Sequence, residues 1–240
     1  MGWRPRGGDV SVWVVAAIEQ ELALLVAKLD AELETPQGHC PHHVAAVGPG
    51  LVRLVALGVG VVSAALTLGR LAALGLPEAA IMVGSAGALP GSGCGMGDLV
   101  AADEEILAEL GVLVGAGEGD ARAMGLADLL QRVALDQSLV DEVTAAVEPA
   151  AGVRRGSLLT VVGVSAEPEQ AEARAQRFHA LAENMEGYAL ALAGRCFGFR
   201  TAEIRGISNR AGDRDKSRWD LDAAQERAQL AVLNYLNRRR

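Results

Sequence analysis

The chain has 240 residues, a net charge of −8 and a composition that is half hydrophobic but only 3% aromatic. That length suits one α/β domain whose core is built mainly from Ala, Val and Leu. The acidic balance argues against a nucleic-acid partner, which normally meets a basic face. Cys40, Cys94 and Cys196 are odd in number and widely spaced, so no disulfide framework is expected and a reducing cytoplasm is the simplest location.

Two apolar stretches invite a membrane interpretation and neither fits it. Arg4 and Arg6 precede an apolar run over 10–18, but Asp9 and Ser11 interrupt it and Glu19-Gln20-Glu21 follows where a cleavage site would lie. The uncharged run between Arg53 and Arg70 contains Gly58 and Gly60 and falls short of the roughly 20 residues a membrane helix needs. Neither a membrane nor a nucleic-acid partner is expected.

In chain order, the Val-rich run 11–17 predicts a first strand, and 19–29 predicts a helix with Leu22, Leu25 and Leu29 on one face. Residues 43–47 and 51–57 predict two strands around the Gly48-Pro49-Gly50 turn, followed by an Ala/Leu helix over 63–74 that stops near Gly75 and Pro77. Residues 79–83 form an apolar strand leading into a small-residue loop, Gly84-Ser85-Ala86-Gly87. Another strand starts over 98–101, and 111–125 reads as a glycine-rich surface excursion. The remainder predicts a helix over 138–147, a strand over 157–164, helices over 167–182 and 185–195, a strand over 200–207 and a closing helix over 221–236. Such alternation implies an α/β sheet.

Candidate chemistry sits at the junctions between these elements. Asn184-Met185-Glu186-Gly187 places a carboxylate among apolar neighbours, where burial without a partner is rare. Arg205-Gly206-Ile207-Ser208-Asn209 ends an apolar strand on an amide, which both donates and accepts and so suits the edge of a 6-oxopurine. Glu19 and Glu21 mark the first strand-helix junction, as dipole-stabilised carboxylates or as catalytic ones. Gly58-Val59-Gly60 lacks the third glycine of a dinucleotide loop, Ser63 standing in its place, and reads better as a tight turn whose amides can meet a sugar or a water. Ser85 lacks the G-x-S-x-G elbow of a nucleophile. His39, His42 and His43 cluster with Cys40 without a second pair of ligands at zinc-like spacing, so no metal is expected. Arg210, Arg214, Lys216 and Arg218 are interspersed with Asp213 and Asp215, as in a solvated loop. Because they follow Asn209, they are also placed to lie over a substrate.

Over residues 12–236 these motifs resemble the nucleoside phosphorylase and nucleosidase superfamily. Ala17-Ile18-Glu19-Gln20-Glu21 is similar to its first strand-helix junction, Gly84 to Gly87 to its ribose loop, Met185-Glu186 to its sugar-binding motif and Ser208-Asn209 to its purine-binding end. Within it, Gly87-Ala88-Leu89-Pro90-Gly91-Ser92-Gly93, the 183–187 and 205–209 motifs and the 212–219 stretch are most similar to the futalosine hydrolases of menaquinone biosynthesis. The resemblance implies a three-layer αβα fold with a central twisted mixed sheet, a single nucleosidase domain over 1–240 with 1–10 as a flexible extension, no cofactor, and a homodimer or larger homo-oligomer. It also implies that Glu21 acts as general base on water, Glu186 binds the ribose hydroxyls and Asn209 steadies the departing hypoxanthine. Ser85, Ala86 and Gly87 would line the sugar site, Met185 the ribose face, and Gly163, Val164 and Ser208 the base. Phosphorylases of the superfamily carry an arginine just before the ribose loop. Here Ile81-Met82-Val83 precedes it, so water is the expected nucleophile. Relatives specific for adenine carry aspartate at the position of Asn209, which points this chain to a 6-oxopurine. The alternatives are a nucleosidase for methylthioadenosine and S-adenosylhomocysteine, an aminofutalosine hydrolase, and a non-catalytic nucleoside-binding protein.

Overall fold

The first strand, β1 (Val10–Ala16), sets the architecture. Trp13 and Val15 point into one apolar cluster while Val12, Val14 and Ala16 point into another, and all five are buried. A strand apolar on both faces must be central, with helices above and below it. The computed structural model describes residues 10–35, 41–114, 118–126, 129–147 and 152–239.

After β1 the strands are β2 (Glu32–Glu34), β3 (His42–Val47), β4 (Gly50–Ala56), β5 (Ala79–Ala88), β6 (Leu99–Leu107), β7 (Val112–Val114), β8 (Glu118–Asp120), β9 (Arg132–Ala134), β10 (Val153–Thr160), β11 (Ala182–Asn184) and β12 (Arg200–Arg210). The helices are α1 (Ala23–Lys28), α2 (Val61–Ala72), α3 (Gln137–Ala145), α4 (Pro168–Phe178), α5 (Gly187–Phe197) and α6 (Leu221–Asn237). The main sheet runs β11-β10-β6-β12-β5-β1-β4-β3-β2, with β9 beside β6. It is mixed: β1 is parallel to β4 and β5, and β12 is parallel to β5 but antiparallel to β6. β11 also pairs with β5 through Ala182–Ala88 and Glu183–Gly87, closing β5, β12, β6, β10 and β11 into a ring.

Helices α2 and α5 pack together over Trp13, whose ring stands 5.6 Å from that of Phe199. On the other side α6 lies along β12 and β5, with α1 and α3 against it. α4 places Ala171, Ala175 and Phe178 against Ile106, Leu159 and Val161. This is the expected three-layer αβα arrangement around a mixed sheet.

Several local expectations change. Gly84 to Gly87 is not a loop but the second half of β5, because β12 runs alongside it and supplies ladder partners from Arg205 to Asn209. The helix expected over 19–29 divides into a 3-10 turn, Glu19–Leu22, and α1, since the Glu21 carboxylate turns back to accept the amide of Ala17; Leu22, Leu25 and Leu29 are buried as expected. The helix over 167–182 stops at Phe178, where His179 turns left-handed, and 182–184 forms β11. The strand over 157–164 ends at Thr160. α5 begins at Gly187, leaving Met185 outside and Glu186 at its N-cap. Tyr188 fills core and donates to the carbonyl of Leu130. Residues 1–9 of the expected N-terminal extension lie outside the described residues, and Val10 is already paired with Leu51.

Gly206 lets α6 seat on β12, because a Cβ there would stand 2.1 Å from the carbonyl oxygen of Ala224. Gly206→Ala must push helix from sheet, and overpacking of this kind costs about 1–3 kcal/mol or more. A lowered urea midpoint is expected; an unchanged one would mean that the helix shifts freely.

Candidate active site

A cavity of about 630 Å³ opens where the C-terminal halves of β5 and β12 meet the 3-10 turn after β1, β11, the N-terminus of α5 and the start of α6. Ligand sites in open α/β sheets commonly lie outside the carboxyl ends of strands. The lining includes Glu21, Ser85, Ala86, Gly87, Val164, Met185, Glu186, Ser208 and Asn209. Of the residues that the family resemblance assigns to catalysis or substrate binding, only Gly163 is absent from the lining; its carbonyl accepts from Arg174 at 2.9 Å. Arg174 and Glu183 together pin this segment, Glu183 also accepting the amide and hydroxyl of Ser165.

Each carboxylate is held by backbone donors. Glu21 is 4% exposed; one oxygen accepts the amide of Ala17 at 3.1 Å, and the other accepts the amide of Ser85 at 3.0 Å and its hydroxyl at 3.3 Å. Glu186, 3% exposed, accepts the amide of Gly60 at 2.9 Å. Gly60 caps α2 with φ of 89°, a conformation open to glycine. The Gly58-Val59-Gly60 turn therefore holds a protein carboxylate with its amide, which gives the tight turn a local purpose.

Near its C-terminal end β12 carries a bulge: Ile207 pairs with Ala86 and Asn209 with Gly87, leaving Ser208 over. Bulges re-aim side chains next to functional sites, and here both Ser208 and Asn209 face the cavity. The Asn209 carbonyl accepts from the Ser208 hydroxyl at 2.8 Å, and its NH2 donates to the Arg210 carbonyl at 2.8 Å. Asparagine has two donors and two acceptor positions on its amide, so one of each is left for a ligand.

The residue that sequence reasoning undervalues is Arg205. Its guanidinium is 1% exposed and lies against the floor of the cavity, 2.7 Å from Glu203 and 3.5 Å from Glu186, with the Ser85 carbonyl at 3.3 Å. No cation stands in the Ile81-Met82-Val83 segment directly before Gly84, yet a Cβ on Gly84 would lie 2.9 Å from Arg205 Nη1 and 2.8 Å from a Glu21 oxygen. The β5–β12 register, Arg205 opposite Gly84, makes that approach. Burial pulls this guanidinium down, but Glu203, Glu186 and Glu21 more than offset it and hold it above its ordinary value. Below it, burial pushes the Glu105 carboxyl well above the usual range, and neighbouring Glu203 adds to the rise. The one signal in the chain is that Glu203 and Arg205 alternate with the apolar Ala202, Ile204 and Ile207 inside one strand.

Arg214 and Lys216 also line the cavity, Arg214 lying 4.9 Å from the Trp219 ring. Arg218 instead pairs with Asp213 and Asp215 and borders a neighbouring pocket. His42 stands 3.7 Å from Glu34 and His43 3.8 Å from Glu19, while His39 and Cys40 lie outside the described residues. Among the described residues no His/Cys/Asp/Glu group could hold a metal.

The sequence model of the phosphorylase superfamily matches residues 11–237. The chain belongs to the phosphorylase superfamily. Among curated relatives of this superfamily member, the futalosine hydrolase of Thermus thermophilus is 39% identical over 79% of this chain and 82% of its own. That of Acidothermus cellulolyticus is 36% identical over 57% of this chain and 56% of its own. Among solved structures, the MTA/SAH nucleosidase of Streptococcus pneumoniae in complex with 8-aminoadenine superposes with a TM-score of 0.82, at 26% identity, over 95% of this chain and 99% of that one. The resemblance read from the motifs is borne out.

In this superfamily member, Arg205→Ala would leave Glu203 and Glu186 without their cation. Removing one partner of a buried pair costs about 3–5 kcal/mol, so equilibrium unfolding should show a loss of that size; a loss near zero would show that the carboxylates are compensated by other groups.

Proposed function

We propose that this protein hydrolyses the N-glycosidic bond of futalosine, releasing hypoxanthine and dehypoxanthine futalosine in menaquinone biosynthesis. The named activity of its curated relatives supports this. The observation that carries hydrolysis over phosphorolysis is the occupied state of Arg205. Its charge is already engaged by Glu203 and Glu186, with Glu21 close by. A phosphate dianion at the cavity floor would meet carboxylates, whereas neutral water meets acceptors.

In the proposed reaction the C1′–N9 bond breaks with its electron pair leaving on the purine, and water adds to C1′. Glu21 takes the proton of the attacking water as general base and later returns it to solvent; the purine takes a proton from solvent. Positive charge on the sugar is stabilised by the fixed carboxylate of Glu186, charge complementarity being the largest usual source of rate. Asn209 accepts from N7–H and donates to O6 of the departing hypoxanthine. Ser85, Ala86 and Gly87 line the sugar and water positions, Met185 packs on the ribose, and Val164 and Ser208 flank the base. Residues 1–240 work as one nucleosidase domain. Arg214 and Lys216, rather than Arg218, face the carboxylate of the substrate's 5′ substituent.

A nucleosidase for methylthioadenosine and S-adenosylhomocysteine is the second reading, favoured by the fold match to such an enzyme; Asn209 disfavours it. A homodimer is supported by Val62 and Leu66, 77% and 66% exposed on one face of α2. A cytoplasmic location fits the free thiols Cys94 and Cys196, and no described helix is long and apolar enough to cross a membrane.

Incubation with futalosine, aminofutalosine, inosine and methylthioadenosine, with and without phosphate, tests the assignment: free hypoxanthine without ribose 1-phosphate is expected from futalosine. Glu186→Ala should lower kcat by about a hundredfold to a thousandfold, as loss of a preorganised electrostatic group does; unchanged turnover would overturn its role. Asn209→Asp should shift kcat/KM from 6-oxo toward 6-amino nucleosides, and an unaltered ratio would remove Asn209 from base recognition. Arg214→Ala or Lys216→Ala should raise KM for futalosine more than for inosine, with Arg218→Ala having the smaller effect; equal shifts for both substrates would sink the carboxylate contact.

A further inference from the structure

Directly beneath Glu186 lie two carboxyl groups that the chemistry above does not use. Glu105 on β6 and Glu203 on β12 are 0% and 1% exposed. Both face the bare α-carbon of Gly187, where a Cβ would stand 2.3 Å from Glu105 Oε1 and 2.3 Å from Glu203 Oε2. The nearby donors are spent elsewhere. Arg205 Nε serves Glu203 Oε1 at 2.7 Å, while Asn184 Nδ2 and the Thr160 hydroxyl each serve Glu105 at 2.7 Å. Glu203 Oε2 is left buried with no donor. A carboxylate oxygen so placed needs a hydrogen, and a protonated carboxyl beside it supplies one.

We infer that Glu105 and Glu203 share one proton, and that this pair positions Glu186 through two arms. The first arm runs from Glu203 through Arg205 to Glu186 Oε2, at 2.7 and 3.5 Å. The second runs from Glu105 to Asn184, whose carbonyl accepts the amides of Glu186 at 3.0 Å and Gly187 at 2.8 Å. Both arms end on the residue that the nucleosidase reading needs in one fixed place, and the positioning role rests on that reading.

The charged and titratable groups around the pair are Arg205 on β12, Glu186 at the α5 N-cap and Glu21 in the 3-10 turn, which acts on Arg205. β10 and β11 contribute the neutral Thr160 and Asn184, and β9 contributes Val133 opposite Glu105. The Tyr188 hydroxyl of α5 is directed to Leu130 instead. With the proton in place, Arg205 balances part of the charge on Glu203, Glu186 and Glu21. Without it, a fourth carboxylate is ionised around a single guanidinium.

Burial and neighbouring Glu203 both push the Glu105 carboxyl up, so the proton is lost only above the ordinary carboxylate range. The stability it contributes is full below the ordinary carboxylate range and disappears as pH rises through the raised value. Activity should fall over the same interval, in kcat more than in KM.

Glu203→Gln separates the alternatives. Its NH2 donates permanently to Glu105 and its oxygen still accepts from Arg205, so Glu105 ionises among donors. Wild type at neutral pH should show the infrared carbonyl band of a protonated buried carboxylic acid, and Glu203→Gln should lose it. That variant should keep kcat within about threefold at neutral pH without the alkaline fall, whereas Glu203→Val should lose about a hundredfold, as misplacement of a reacting group does. Absence of the band in wild type, a Gln variant as impaired as the Val variant, or an unaltered alkaline limb in Glu203→Gln would each overturn the inference. If Glu203→Val fails to fold, the band and the Gln variant decide. The infrared measurement needs no substrate, so failure of the wild-type enzyme to cleave any nucleoside would count against the nucleosidase reading alone.

Discussion

A guanidinium inside a sheet buried on both faces is the constraint around which this structure is arranged. Arg205 sits in a strand flanked by helices on both sides, where an unpaired charge is untenable. It therefore draws carboxylates from separate segments: Glu203 from its own strand, Glu186 from the start of α5, and Glu21 from the turn after β1. The same crowding dictates two glycines. Gly84 leaves room for Arg205 and Glu21, and Gly187 leaves room for Glu105 and Glu203. Side chains at either position would displace the ion network rather than a flexible surface group.

The backbone provides the second half of the arrangement. Closure of the sheet through β11 and β5 brings Ala182 and Glu183 against Ala88 and Gly87, just ahead of Glu186. A bulge of one residue in β12 turns both Ser208 and Asn209 toward the same space. Carboxylates at one end of the cavity and an amide at the other follow from strand pairing rather than from sequence proximity. Glu21 and Asn209, for example, lie at opposite ends of the chain and line one cavity.

Much of this is legible in the chain itself. The Val-rich first strand, the Leu22–Leu25–Leu29 face and the alternation of strands with helices follow from local periodicity, which burial alone enforces. The motifs ending in Glu186 and Asn209 stand out because a carboxylate among apolar residues and an amide closing an apolar strand are both costly unless used. Gly84 to Gly87 reads as a loop because small residues carry no strand preference of their own; pairing with β12 makes it a strand. β11 is hidden inside a helical pattern, since three residues hold too little periodicity to compete with the helix that precedes them.

The sequence by itself determined the α/β class and the acidic, aromatic-poor character, because each depends on residue type and near neighbours, and its resemblance to superfamily motifs pointed to the layer architecture and to the cavity residues other than Gly163. Only the tertiary structure decided which charges meet. Arg205 and Gly84 are separated by the length of half the chain and become adjacent through strand register. Glu105, Glu203 and Asn184 lie on three strands and become one buried cluster, with Asn184 donating to Glu105 and both carboxyls facing Gly187. Such encounters are set by long-range pairing, and no local pattern in the chain encodes them.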